Sequence, residues 1–226
     1  MERAARLAGS PELYELRGID TFIWSPVSAY ALKVLEPLSF EAWQLVIVIA
    51  ALALPEWRLR LLVLVSWPFW HDWIFGNLLT LIFLASVYAW RGSRVGTVAF
   101  FAFALLIPRP LLIPMLVWIL WKRPEWRWPF AAIFLLHAFL VLWSGLGAEW
   151  IATLAHVGPG LMDLQINRGP SRIFGYWWFV IGLPLGAWLF WRGRVGWAGL
   201  AISPYVWSYY LLWLLPEVNR VPKRPR

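Results

Sequence analysis

The chain has 226 residues, 61% apolar and 14% charged, with 20 tryptophans and a formal charge of +8. So little charge cannot cover the surface of a soluble domain this long, and the Lys and Arg fall between apolar runs without forming the continuous basic face of a nucleic-acid binder. Cysteine is absent, which excludes disulfides and thiolate-ligated metals and leaves the redox compartment open.

Met1–Lys33 holds no apolar core long enough for a cleavable signal; residues 1–37 read as an outer-face N-terminal loop region, in which Leu13–Pro26 is an aromatic approach to the first span. Apolar segments follow at Leu38–Leu54, Leu61–Trp70, Trp73–Trp90, Val95–Ile107, Leu111–Trp121, Pro129–Trp143, Ile173–Trp191 and Trp197–Leu215. The expected fold is all-α: a polytopic transmembrane helical bundle over 38–215, with a connection at 145–172 and a basic tail at 216–226. A full span needs about 20 residues, and Leu61–Trp70 and Leu111–Trp121 are too short. Half-helices meeting at irregular turns, or a funnel with a wet cavity, satisfy such segments. The turns Pro68–Asp72 and Pro108–Pro110 are the candidate cavity walls. Pro204 either lies within one last span or breaks it into a shallow hairpin.

Charge gives the orientation. Arg58 and Arg60, Arg91 and Arg94, Lys122, Arg123 and Arg127, then Arg192 and Arg194 fall in every second loop, with only Glu56 and Glu125 among them. The positive-inside tendency makes these loops cytoplasmic. Trp57, Trp90, Trp121, Trp126, Trp128, Trp191 and Trp197 mark the same boundary, where indole anchors at headgroup level. Pro-Glu-Trp-Arg occurs at Pro55–Arg58 and Pro124–Arg127, and both copies read as loop-and-belt chemistry. The alternate connections face outward and hold most of the acids, including Glu12, Glu15, Asp20, Asp72, Glu149 and Asp163. The predicted location is the cell membrane, multi-pass.

No phosphate-cradling glycine loop, zinc-binding His pair or nucleophile elbow is present, and no cofactor is implied. The candidate chemistry gathers at the outer mouth. Arg109, between two prolines, either presents its guanidinium fork to a phosphate or snorkels from a helix end. His71 and Asp72 pair an imidazole with a carboxylate, suited to orienting a sugar hydroxyl. Capping a helix that starts at Trp73 is the favoured role for Asp72. The stretch 145–172, with Glu149, His156, Asp163, Gln165, Asn167, Arg168 and Arg172, has the length of a lid or binding loop. His137, within an apolar run, reads as a hydrogen-bonded core residue. Trp24 and Tyr14 either stack on a sugar or belong to the interfacial belt.

Four stretches, in order, resemble the polyprenol-phosphate-mannose-dependent glycosyltransferases, glycosyltransferase family 87 of the GT-C superfamily. Leu13-Tyr14-Glu15 with Phe22–Pro26 is similar to that family's "LY…F-x-Y-P-P" stretch. Gly76-Asn77 resembles its "GQ-x-N" element, and Ile107–Pro110 its basic-residue-and-proline turn. Ser203–Tyr210 resembles its "SP-x-SW-x-HH" segment. The resemblance spans Leu13 to Tyr210. It implies a GT-C bundle with an outer-face cavity and transfer of a sugar, usually mannose, from a polyprenyl-phosphate donor to a glycolipid or glycan acceptor. Trp24, His71, Asn77, Arg109, Trp207, Tyr209 and Tyr210 become candidate substrate contacts, among membrane lipids and without nucleic acid. In the family the catalytic aspartate follows a first helix upstream of the "LY" element. Here that position falls before Met1, so the resemblance implies either an N-terminally truncated member or one that has lost or moved its base, for which Asp20 and Asp72 are the nearby substitutes, neither in the family's position. Tyr209 and Tyr210 replace the His pair, and Asn77 replaces a glutamine. The alternatives are a non-catalytic envelope-assembly subunit that binds a lipid-linked sugar and, less favoured for want of an inverted repeat, a secondary transporter.

Overall fold

The computed structural model describes residues 7–14, 24–163, 169–204, 206 and 208–215, without the side chains of 156–163, 208 and 209. The described residues form helices and no strand. These are α1 (Pro26–Leu35), α2 (Phe40–Leu52), α3 (Trp57–Val65), α4 (Trp67–Phe75), α5 (Leu79–Trp90), α6 (Arg94–Leu106), α7 (Ile113–Lys122), α8 (Arg127–Trp143), α9 (Gly147–Asp163), α10 (Ser171–Phe174), α11 (Trp178–Trp191) and α12 (Val195–Ile202). Tight 3-10 turns occupy Pro11–Tyr14, Pro110–Leu112, Pro124–Trp126, Gly175–Trp177 and Ser208–Leu214.

Local chemistry sets the breaks. Ser39 and Ser93 cap α2 and α6 by accepting from the amides of Ala42 and Gly96, each at 3.2 Å. Pro108 and Pro110 lack amide hydrogens and force their preceding residues out of the α region, so α6 stops and Arg109 is extended at φ −130°, ψ 131°. Gly76 ends α4 in the left-handed region at φ 60°, which a side chain opposes.

Several expected segments are redrawn. The Pro68–Asp72 stretch is helical, inside α4; the breaks lie at Ser66 and at Gly76–Leu78. Trp73–Trp90 is therefore two helices. The stretch 145–172 contains the 17-residue α9 in place of an open loop. The final apolar segment breaks after Ile202, at Ser203 and Pro204, before the Ser208–Leu214 turn.

At the centre stands α5, apolar on all sides, with Leu79, Thr80, Ile82, Phe83, Ala85, Ser86, Val87 and Ala89 buried. Helix α6 doubles back along it, and α11 and α12 form a second hairpin. Small residues let these backbones approach closely. A Cβ on Gly199 would lie 2.4 Å from the Leu111 carbonyl oxygen, and one on Gly182 would lie 2.6 Å from that of Ala201.

The periphery is apolar where a soluble protein is polar. Pro124–Trp143 (20 residues) and Ser171–Trp191 (21 residues) are long and apolar enough to cross a membrane, reaching about 30 Å at 1.5 Å per residue. Only 6% and 11% of their apolar windows are buried. Their surfaces present Leu135, Leu136, Phe139 and Leu142 on one helix and Val180, Ile181 and Leu183 on the other. Helices α1 and α2, bent by 104°, add a third span if they count as one.

The basic loops meet at one end. Arg91 pairs with Glu56, and Arg123 donates to the carbonyls of Ala89 and Trp90 at 2.8 and 2.9 Å. Trp121 packs on Phe190 and Trp191 at 5.8 and 5.4 Å between ring centroids. These contacts join the loops after α2, α5, α7 and α11. At the opposite end the Ser25 amide donates to the Leu106 carbonyl at 3.3 Å, and the Trp43 indole N–H donates to the Gly76 carbonyl at 2.7 Å.

Candidate functional site

A buried polar cluster occupies the end opposite the basic loops, where α4, α5, the Pro108–Pro110 turn and the Ser208–Leu214 turn converge. Asp72 reaches across from α4 to the start of α5. Its Oδ2 accepts from the Thr80 amide at 2.8 Å and from the Thr80 hydroxyl at 2.5 Å, with a further backbone hydrogen bond from Leu79. The expected helix start at Trp73 lies inside α4; Asp72 instead caps the helix beginning at Leu79. The two helices are separate because Gly76 turns the chain, which brings a residue eight positions upstream onto the Thr80 amide.

Arg109 is 6% exposed. One guanidinium nitrogen donates to the Tyr210 hydroxyl, and the guanidinium carbon lies 5.3 Å from the centre of the Tyr210 ring. Tyr210 is itself fully buried. Burial pushes the Asp72 carboxyl up to about 6; the Thr80 and Leu79 hydrogen bonds and the positive charge of Arg109 oppose that rise. Asp72 Oδ1 is buried without a hydrogen-bond partner. The cluster therefore joins a carboxyl that ionises reluctantly to an arginine held by an aromatic hydroxyl.

The other candidates surround this pair unevenly. His71, half-buried, sits between Trp67 and Phe75 at 6.2 and 4.7 Å, and burial lowers its pKa. Asn77 lies half-buried in the α4–α5 turn, its amide donating to the Asp72 carbonyl at 3.0 Å. Trp24 contributes its carbonyl, which accepts from the Tyr14 hydroxyl at 3.0 Å. Burial, reinforced by the charge of Glu149, raises the Tyr14 phenol above its ordinary value. Asp20, Glu15, Trp207 and the tail 216–226 lie outside the described residues, as do Gln165, Asn167 and Arg168 and the side chains of His156, Asp163 and Tyr209. His137 is half-buried in α8, 6.4 Å from the Trp150 ring, and its Nε2 is buried without a hydrogen-bond partner, so the expected core hydrogen bond is not formed at that atom.

Two members escaped sequence reasoning. Thr80 is a lone hydroxyl in an apolar run and gives no signal. Trp213, 5.6 Å from Phe83 and 5% exposed, packs the Ser208–Leu214 turn against α5 and resembles any other belt tryptophan in sequence. Comparison with protein-family models, with curated proteins and with solved structures returns no match for the chain.

Proposed function

We propose that the chain is a multi-pass membrane protein of GT-C glycosyltransferase type, which takes a polyprenyl-phosphate-linked sugar at the end opposite its basic loops. The observation supporting this reading is the meeting of Arg109 with Tyr210 beside Asp72. Gly76-Asn77, Arg109 and Tyr210, from three of the stretches that carry the family resemblance, come together there from distant parts of the sequence. In this reading Arg109 holds the donor phosphate, whose departure as leaving group a guanidinium fork stabilises. His71, Asn77 and Trp24 lie toward the sugar, with Trp207 and Tyr209 as further contacts. Asp20 or Asp72 accepts the proton of the acceptor hydroxyl, and the glycolipid or glycan acceptor attacks from the outer face.

The cluster is closed in this conformation, so donor entry requires Tyr210 to turn away from Arg109. A second reading, a non-catalytic subunit that binds the same lipid-linked sugar, is favoured by one observation: Asp72 is fully buried and engaged in capping α5. A carboxylate so placed serves the fold before it serves a substrate.

One assay separates the readings. The purified chain in detergent is incubated with a radiolabelled polyprenyl-phosphate mannose and a membrane glycolipid acceptor, and both donor retention and sugar release to that acceptor are followed. Retention with release supports transfer; retention alone supports the subunit. Tyr210→Phe removes the hydroxyl that competes with phosphate for Arg109, so it is expected to tighten donor retention about threefold to tenfold. No retention by either form would remove both readings.

A further inference from the structure

The basic end contains a cleft that the sugar-transfer reading does not use. It is an open cleft of about 470 Å³ between the α5–α6 turn and the start of α8, lined by Gly92, Arg94, Arg123, Glu125, Trp126 and Pro129. From this geometry we infer that the cleft is a binding site for the phosphate headgroup of an anionic membrane lipid. The inference rests on reading α8 as lipid-facing, and it is independent of any chemistry at Arg109.

The cleft is a built feature. Gly92 adopts φ 91°, a turn conformation that side chains resist, and this brings the loop over the Arg123 guanidinium. A Cβ on Gly92 would sit 3.5 Å from one of the Arg123 terminal nitrogens. Arg123 is fixed beneath by its bonds to the Ala89 and Trp90 carbonyls, where its charge also suits the negative end of α5. Trp126 is held edge-on against Phe101 at 6.0 Å, which makes it a firm wall.

Arg94 is the free hand. It is exposed at the rim and, among the described residues, has no ion pair or hydrogen bond from its side chain. The neighbouring cations are engaged: Arg91 with Glu56, Arg127 with the Leu120 carbonyl at 3.0 Å, and Lys122 over the Trp121 ring at 4.2 Å. Glu125 opposes an anion in the cleft. Yet the four loops at this end carry nine cations against two acids, so the field favours an anion overall.

The position of the cleft selects the ligand. Pro129 belongs both to its lining and to the first turn of α8, the root of the span whose apolar window is 6% buried. A phosphate in the cleft thus places acyl chains along Leu135, Leu136 and Phe139. A free phosphate ester has the same headgroup chemistry and makes no use of that apolar track.

The test uses the full-length protein in detergent, with thermal stability and native mass spectrometry as readouts. Phosphatidylglycerol is titrated against phosphatidylcholine and against free glycerol 3-phosphate. Phosphatidylglycerol is expected to be retained and to raise the apparent Tm where the other two are not. Arg94→Gln, at an exposed position, is expected to weaken its retention about tenfold, as for loss of one charge-assisted hydrogen bond. Glu125→Gln is expected to strengthen retention. Arg58→Gln, a rim charge 5.6 Å from the Trp57 ring centre and outside the cleft, is expected to leave it within about twofold. Equal losses for Arg94→Gln and Arg58→Gln would replace the cleft by general charge attraction. Equal binding of phosphatidylcholine, or weaker binding by Glu125→Gln, would overturn the anion site, and equal stabilisation by glycerol 3-phosphate would overturn the lipid assignment.

Discussion

Arg109→Ala is expected to lower the apparent Tm by about 10 °C. The change removes the cation that shares a buried site with Asp72 and leaves the Tyr210 hydroxyl without its guanidinium donor, all within a cluster at most 6% exposed. Breaking such a buried charged arrangement costs about 3–5 kcal/mol, and about 2–4 °C accompanies each kcal/mol for a chain of this length. The position between Pro108 and Pro110 gives the backbone little freedom to bring another group into the gap. Arg109→Lys keeps the charge but loses the fork and its stacking on Tyr210, so its loss should be intermediate. A scanning-fluorimetry series in one detergent checks the order: wild type above Lys above Ala. An Arg109→Ala protein as stable as wild type would mean that the Arg109–Tyr210 contact contributes little to holding the Ser208–Leu214 turn on the bundle.

The second large effect concerns pH. The Asp72 carboxyl is pushed up to about 6 in the folded chain, against an ordinary value of 3.8. The native state therefore binds a proton more tightly than the unfolded state between those values. That contribution to stability is complete below about pH 4, declines as pH rises through about 6, and changes no further above it. Asp72→Asn, whose amide oxygen still accepts from Thr80, is expected to flatten this slope while retaining the cap. Asp72→Ala removes the cap as well and is expected to lie about 1–2 kcal/mol below Asp72→Asn at every pH. Apparent Tm measured from pH 4 to pH 7 for the three proteins separates the two roles. A wild-type slope that survives Asp72→Asn unchanged would assign the titration to another group.

Much of this architecture is written locally. Flanking prolines fix the extended Arg109, serine caps begin α2 and α6, and the spacing of Lys and Arg foretells which loops share an end. The division between α4 and α5 is less legible, because Trp67–Trp90 is apolar throughout apart from Pro68, His71, Asp72, Gly76, Asn77, Thr80 and Ser86. Gly76-Asn77 was the available turn signal, and the hydrophobic run masked it. Helix α9 was missed for the opposite reason: its apolar residues, such as Ile151 and Leu154, are diluted by polar ones and by Gly158 and Gly160. The site itself depends on contacts that no local pattern encodes. Arg109 and Tyr210 are 101 positions apart, and each was singled out separately without any sign that they touch. The Asp72 cap belongs to a helix beyond the Gly76 turn, so its partner follows from tertiary geometry rather than from spacing. Thr80 and the cleft beside Gly92 had no sequence signature at all.

Sugar transfer at the Arg109 end and a lipid headgroup at the basic end lie at opposite faces only if the two ends of the bundle face opposite sides of a membrane. The chain contains no cysteine, so single cysteines report position without a background. Arg192→Cys marks the basic end and Glu149→Cys marks the end bearing Tyr14 and the Asp72–Arg109–Tyr210 cluster. In sealed vesicles of known orientation, a membrane-impermeant maleimide should label one of them before lysis and the other only after it, with Glu149→Cys on the extracytoplasmic side. Labelling of both from the same side would contradict the topology, and with it the placement of sugar transfer and lipid headgroup at opposite faces.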